Sequence, residues 1–162
     1  MSKKFLVTGA NGYIGRYVVK NLLDMGNTVV ASDLSYDGVD ERALRTDVQL
    51  FSGDEDIYEQ FGRPDVCIHL AWRNGFVHNA DSHILDLPDH YKFIKNMIDG
   101  GLKHIVVMGS MHEIGYWEGP IEEDTPANPS SNYGIAKNAL RQMTTLIAKT
   151  KGVCMQWTRG YY

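Results

Sequence analysis

Two cysteines in 162 residues are too few to build a disulfide framework. Cys67 and Cys154 each fall inside an apolar run that reads as a core strand, where a thiol behaves as a small hydrophobe. The six histidines form no His-Glu-x-x-His pattern and never meet a cysteine at zinc spacing, so no metal site is expected. Positive charge is scarce too. Sixteen Lys and Arg against 20 Asp and Glu leave a formal net charge of -4, and the basic residues are scattered, which removes the electrostatic case for nucleic acid. No apolar run approaches membrane-spanning length, and a glycine turn cuts short the apolar stretch after the basic start MSKK before a signal core could form. No membrane partner is expected, and a reducing cytoplasm is the default location. With 43% hydrophobic residues the chain can bury one sizeable core, so residues 1–162 read as a single domain.

Glycine, by contrast, is concentrated where it matters. LVTGANGYIG carries Gly9, Gly12 and Gly15 between an apolar run, KFLVTG, and a helical pattern of Ile14, Val18, Leu22 and Met25 that Gly26 closes. A strand is therefore followed at once by a helix. Glycine at such a junction permits positive φ, lets a ligand approach bare backbone, and lets helix and strand pack closely. The first amides of the helix lack partners and its dipole favours an anion, so a pyrophosphate could rest there without a basic side chain. No Lys follows Gly15 in the manner of a P-loop, which argues against an ATPase or GTPase. An ordinary glycine turn is the plainer reading.

Further strands are expected in NTVVASD, ending at Asp33, in VQLFSGD, ending near Asp54, and in PDVCIHLAW, HIVVMGS and VCMQWTR. Helical spacing joins Tyr91, Ile94, Met97, Ile98 and Leu102, and again Ile135, Leu140, Met143 and Ile147. Alternating strands and helices predict an α/β fold, a doubly wound parallel sheet of six strands with helices on both faces, the Rossmann arrangement. The continuous apolar character of IVVM and CIHLA suits strands covered on both sides. One long connection, Met111 to Asn132, leaves a strand at the end where open α/β sheets bind ligands.

Asp33 ends the second strand about 20 residues beyond the glycine turn, where a dinucleotide fold places the acid that accepts ribose hydroxyls. A carboxylate there repels a 2′-phosphate, so NAD is expected in preference to NADP; Arg42 and Arg45 are the basic residues that could reverse this. A solvated turn Asp is the alternative. Tyr133 and Lys137 in YGIAK share one helix face, so an ammonium can lie near a phenol and favour the phenolate needed for general acid/base catalysis. Alone, such a pair is common on exposed helices.

Taken together, TGANGYIG, Asp33, the DVCIHLA strand, GS ahead of the long loop, and YGIAK resemble the extended short-chain dehydrogenases/reductases, the nucleotide-sugar epimerase/dehydratase family, over nearly the whole chain. The resemblance implies NAD(P)-dependent hydride transfer at a sugar carbon. Tyr133 would be the catalytic acid/base, and Lys137 would bind the nicotinamide ribose and lower the Tyr pKa. Asp54 looks like the acid that meets the adenine amino group. Backbone at Asn11, Tyr13 and Ile14 would surround the pyrophosphate, and Leu70, Ala71 and Trp72 would border the cofactor. Trp72 and Arg73 could contact substrate or simply anchor their loop. Tyr116 and Trp117 in HEIGYWEG could meet a sugar or base, or pack locally. Met97, Met143 and Ile147 would lie partly at a homodimer interface.

Two departures stand out. The family usually reads SSxxVYG after the fifth strand, with the second Ser or Thr hydrogen-bonded to substrate; here Ser110 precedes Met111, and a thioether cannot donate. Ser110 presented by a one-residue shift is the expected donor, His112 the other candidate, and impaired catalysis the third outcome. Family members also continue into a sugar-binding region, whereas this sequence stops at WTRGYY. A fragment with weak or no turnover of its own is expected, and a catalytically silent NAD(P) sensor is the rival reading.

Overall fold

A computed structural model describes residues 2–161. The first strand, β1 (Lys4–Thr8), runs into α1 (Tyr13–Asp24), and the chain returns as β2 (Thr28–Ser32) parallel to β1. Gly26, at φ +81° just past α1, lets the chain reverse there. Then come β3 (Leu44–Arg45), α2 (Ile57–Gln60), β4 (Val66–His69), α3 (Ser82–Leu85) and α4 (Leu87–Gly100). The last elements are β5 (His104–Ser110), a 3-10 turn (Met111–Glu113), α5 (Asn132–Lys151) and β6 (Cys154–Gly160). All pairings are parallel, in the order β3-β2-β1-β4-β5-β6. The order reverses beside β1, which is where a doubly wound sheet opens its ligand crevice.

The period-two alternation of strand side chains splits the core between two faces. Leu6, Val30, Cys67, Ile105 and Val107 meet Phe93, Ile94 and Met97 of α4 and Leu140 of α5 on one side. Val7, Val29 and Ala31 meet Val19 of α1 on the other. Each fully buried Leu or Ile contributes about 1.5–3 kcal/mol, so α4 and α5 hold the larger share of the stability. Pro88 sits in the first turn of α4, where its missing N–H costs nothing. Ser131 caps α5, its Oγ accepting from the Gly134 amide at 3.2 Å, and Gly152 ends that helix in the left-handed region.

Three expectations are corrected. VQLFSGD is not a strand: the third strand is the two residues Leu44–Arg45, and residues 48–54 form turns in which Gly53 takes φ +81° and Ser52 Oγ accepts the Asp54 amide. Val48 and Leu50 still pack against the core, so their apolarity reflects burial without strand geometry. Cys154 is exposed, because β6 is an edge strand whose Cys154, Gln156 and Thr158 face away from α5. The IVVM strand is fully covered on one face only, with Val106 and Met108 half-buried on the other. Met97 lies wholly in the core, while Met143 and Ile147 are half-buried against it.

Candidate active site

Gly9 and Gly12 lie in the short connection between β1 and α1 and Gly15 in the first turn of α1, and each has its own reason to lack a side chain. Gly9 takes φ +68°, and a Cβ there would stand 2.7 Å from the Ala71 amide nitrogen. A Cβ on Gly15 would strike the Gly9 carbonyl oxygen. These two glycines serve backbone packing. Gly12 has only the Gly9 carbonyl nearby, at 3.2 Å, and opens α1 without a side-chain cap, so its outer side is bare backbone at a helix N-terminus. The first-turn amides of Tyr13, Ile14 and Gly15 come next along the chain. Here the turn can receive an anion.

A cleft of about 880 Å³ opens in front of this turn, walled in part by Gly9, Asn11, Gly12, Asp33, Leu70, Ala71 and Trp72. Asp33 is fixed from two sides: its carboxylate accepts the Asn11 amide at 2.8 Å and the Leu34 amide at 2.7 Å. Arg42 is held by Asp24 and Asp40, each at 2.7 Å, and Arg45 lies over the Tyr36 ring. Arg42 is thus held by carboxylates, whereas Arg45 stands over a ring that borders the cleft. Asp54 does not border the cleft; its carboxylate takes the Gln60 side chain at 3.2 Å and its carbonyl that of Asn96 at 2.9 Å. Asp47 and Val48, just after β3, border it instead.

Tyr133 and Lys137 both come from the first two turns of α5, as their spacing requires. The Lys137 ammonium is 3% exposed as a residue, donates to the Met108 carbonyl at 2.8 Å, and lies 3.9 Å from the Trp72 ring centroid and 5.9 Å from that of Tyr133. Burial pulls its pKa down to about 7, against the opposing pull of Glu113. An exposed helix-face lysine would show none of this. Trp72 borders the cleft and touches Lys137, so the pair adjoins the glycine turn through this one side chain.

Ser110 ends β5 in extended conformation, in register with Gly160, without the expected one-residue shift. It caps the 3-10 turn: its Oγ accepts the His112 amide at 3.2 Å and its own amide donates to Glu113 Oε1 at 2.8 Å. Met111 follows, and the His112 ring lies 5.7 Å from that of Tyr133. Burial, then His78, lowers the His112 pKa. Glu113 is fully buried and anchors the turn, accepting Trp157 Nε1 at 2.9 Å and pairing with Arg159 at 3.2 Å and Arg141 at 3.7 Å. Farther along the loop, Tyr116 bonds Glu118 and Trp117 bonds the Pro120 carbonyl, while both side chains stay exposed.

Sequence reasoning named His112 but missed two other histidines beside Tyr133, His78 and His83. His78 stacks on the phenol ring at 5.8 Å, and its backbone carbonyl accepts the Tyr133 amide at 2.8 Å. His83 lies 5.2 Å from the same ring and accepts Trp72 Nε1 on Nδ1 at 3.0 Å, which leaves Nε2 to donate to the Val77 carbonyl. Arg73 grips Asp86 through two hydrogen bonds, and both residues border the cleft. The signal was WRNGFVHNADSH, rich in polar and aromatic residues directly after the β4 strand. No helix among the described residues is long and apolar enough to cross a membrane.

Comparison with known proteins bears on the family and the fold. The family model described as the NAD dependent epimerase/dehydratase family matches residues 5–161. The dTDP-6-deoxy-L-talose 4-dehydrogenase (NAD(+)) of Aggregatibacter actinomycetemcomitans is 43% identical over 97% of this chain and 60% of its own length. A UDP-glucose 4-epimerase of Lactobacillus helveticus is 28% identical over 93% of this chain and 48% of its own. The chain thus spans about half to three fifths of these relatives. Among solved structures, UDP-glucose 4-epimerase from Thermotoga maritima superposes with a TM-score of 0.83 at 22% identity, over 96% of this chain and 54% of that one. The Brucella ovis UDP-glucose 4-epimerase in complex with NAD gives 0.82 at 19%, over 98% and 51%, a likeness of fold. With nearly every residue matched by its model, this chain belongs to the NAD dependent epimerase/dehydratase family.

Proposed function

We propose that this chain is the cofactor-binding and proton-transferring part of an NAD-dependent enzyme that oxidises or reduces a carbon of a nucleotide-linked sugar. The observation that carries the reading is the buried Lys137 beside Tyr133, joined through Trp72 to a cleft whose glycine turn offers bare helix-start backbone. The residues fit a dinucleotide: Gly12 and the first amides of α1 for the phosphates, Asp33 for the adenosine ribose, and Asp47 in place of Asp54 for the adenine amino group. When bound, NAD supplies a nicotinamide carbon that takes or gives hydride. The chain's own part is the proton. Tyr133 exchanges it with the sugar hydroxyl or ketone, and Lys137 places a titratable ammonium beside the phenol. With Met111 unable to donate, His112 is the group next to Tyr133 best suited to hydrogen-bond the sugar oxygen. Identity with the dTDP-6-deoxy-L-talose 4-dehydrogenase supports a dTDP-6-deoxy sugar as substrate and its 4-position as the reacting carbon. A homodimer through the outer faces of α4 and α5 is part of the same reading.

The test pairs binding with turnover. NAD should bind more tightly than NADP in parallel titrations, and NADH formation should be seen with dTDP-6-deoxy sugars once the sugar-binding remainder that the relatives possess is joined to this chain. Tyr133→Phe should leave NAD affinity nearly unchanged and cut turnover about a hundredfold or more. Unchanged turnover removes Tyr133 from the mechanism.

A further inference from the structure

Behind the cleft wall, hydrogen bonds run from the glycine turn through the sheet to α4. The Ala71 amide donates to Thr8 Oγ1 at 3.3 Å, Thr8 Oγ1 meets His69 Nδ1 at 2.7 Å, and His69 Nε2 meets His90 Nδ1 at 2.9 Å. Thr8, His69 and His90 are 0%, 2% and 3% exposed, so solvent does not complete their bonding. That fixes the direction of the chain. Among the described residues, Thr8 Oγ1 touches only the Ala71 amide, itself a donor, and His69 Nδ1; the hydroxyl hydrogen must therefore go to His69. His69 then carries its proton on Nε2 and donates it to His90 Nδ1. His90 in turn carries its proton on Nε2. The opposite order leaves the Thr8 hydrogen buried without an acceptor.

Two further facts turn this order into a binding feature. His90 borders the cleft, and its ring is clamped, stacked on Trp72 at 4.3 Å and 20° with the Phe51 edge at 4.7 Å. Nδ1 is taken by His69, and Nε2 is not among the fully enclosed polar atoms, so its open side is the cleft that His90 borders. Both imidazoles are also neutral. Burial, then His90 and Lys137, hold His69 well below the usual histidine range; burial and Lys137 bring His90 to about 3, against the weaker pull of Asp86. We propose that His90 is a cofactor-binding residue whose Nε2–H donates to an oxygen of the phosphate–ribose segment of the dinucleotide, its tautomer set by Thr8 through His69. This rests on the dinucleotide reading of the cleft. The adenosine end is marked by Asp33 and Asp47, whereas His90 stands with Trp72 toward Lys137, which selects the segment beyond adenosine.

Long-range proton–nitrogen NMR reads imidazole tautomers directly, with no cofactor present. His69 and His90 should both appear as neutral Nε2–H forms that do not titrate between about pH 5 and 8. Thr8→Ser should keep that state, and Thr8→Val should lose the single tautomer. A proton on Nδ1 of His90, titration in that window, or an unaltered tautomer in T8V overturns the relay. His90→Phe keeps the stacked ring and removes the donor; affinity should fall about five- to tenfold for NAD and for ADP-ribose and stay the same for adenosine, which lacks the phosphates and second ribose. Unchanged NAD affinity in folded H90F overturns the assignment to His90 alone, and an equal loss with adenosine overturns the chosen segment. A wild-type chain that binds no NAD, with the tautomers as stated, overturns the dinucleotide reading and the ligand of His90 together.

Discussion

Lys137→Met should remove a pH dependence of stability that the wild-type chain carries. In the folded protein burial holds the Lys137 ammonium near a pKa of about 7, whereas an unfolded lysine titrates at about 10.4. Between those values the unfolded chain binds more protons than the folded one, so stability rises with pH. The penalty for burying the charge is complete below about pH 7 and gone above about 10.4. One proton's difference gives about 1.4 kcal/mol per pH unit, or about 2.7 kcal/mol between pH 7.5 and 9.5. Methionine fills similar volume without a charge but gives up the hydrogen bond to the Met108 carbonyl and the contact with Trp72, together worth about 1–3 kcal/mol. That loss does not depend on pH. Urea denaturation of both proteins at half-unit pH steps should therefore show the wild type gaining on K137M by the stated slope. Parallel profiles would show that Lys137 is not held in a depressed state, and the argument from its burial would fail.

Gly15→Ala should lower both stability and NAD affinity, because the new Cβ meets the Gly9 carbonyl and must push α1 off β1; thermal melting and a cofactor titration check it. Asp33→Ser should shift cofactor preference toward NADP while weakening NAD by about 1.5–3 kcal/mol, the worth of hydrogen bonds to a charged group. Asp47→Ala should weaken AMP and NAD binding alike, and Asp54→Ala should change neither. The reverse result would return the adenine contact to Asp54.

The first strand, glycine turn and helix were legible because each local signal agreed with the others: an apolar run, glycines where side chains would collide, and helical spacing up to Gly26. Tyr133 and Lys137 were legible by spacing, but the burial of Lys137 was not, since it comes from Trp72 and Met108, both distant in sequence. VQLFSGD misled because burial of Val48 and Leu50 produces the same apolar letters as a strand. Placing the third strand there also drew attention to Asp54 at its end, whereas Asp47, just after the observed strand, is the acid that borders the cleft. Cys154 was misread for a related reason, as an edge strand has one face that no helix covers. The histidines near Tyr133 and the relay behind Trp72 depend on side chains converging from α3, α4, β4 and two loops, which no single window of sequence displays.

The anchoring of Glu113 makes the outermost strand a working part of the loop that carries His112. Its carboxylate draws an indole and a guanidinium from β6 and a second guanidinium from α5, and it is wholly shut away from water. Shortening the polypeptide ahead of Trp157 would leave that carboxylate only the Ser110 amide and Arg141, and the turn beside Tyr133 would lose its tie to β6 although every residue of it survived. The smallest piece that keeps this tie therefore extends through Arg159.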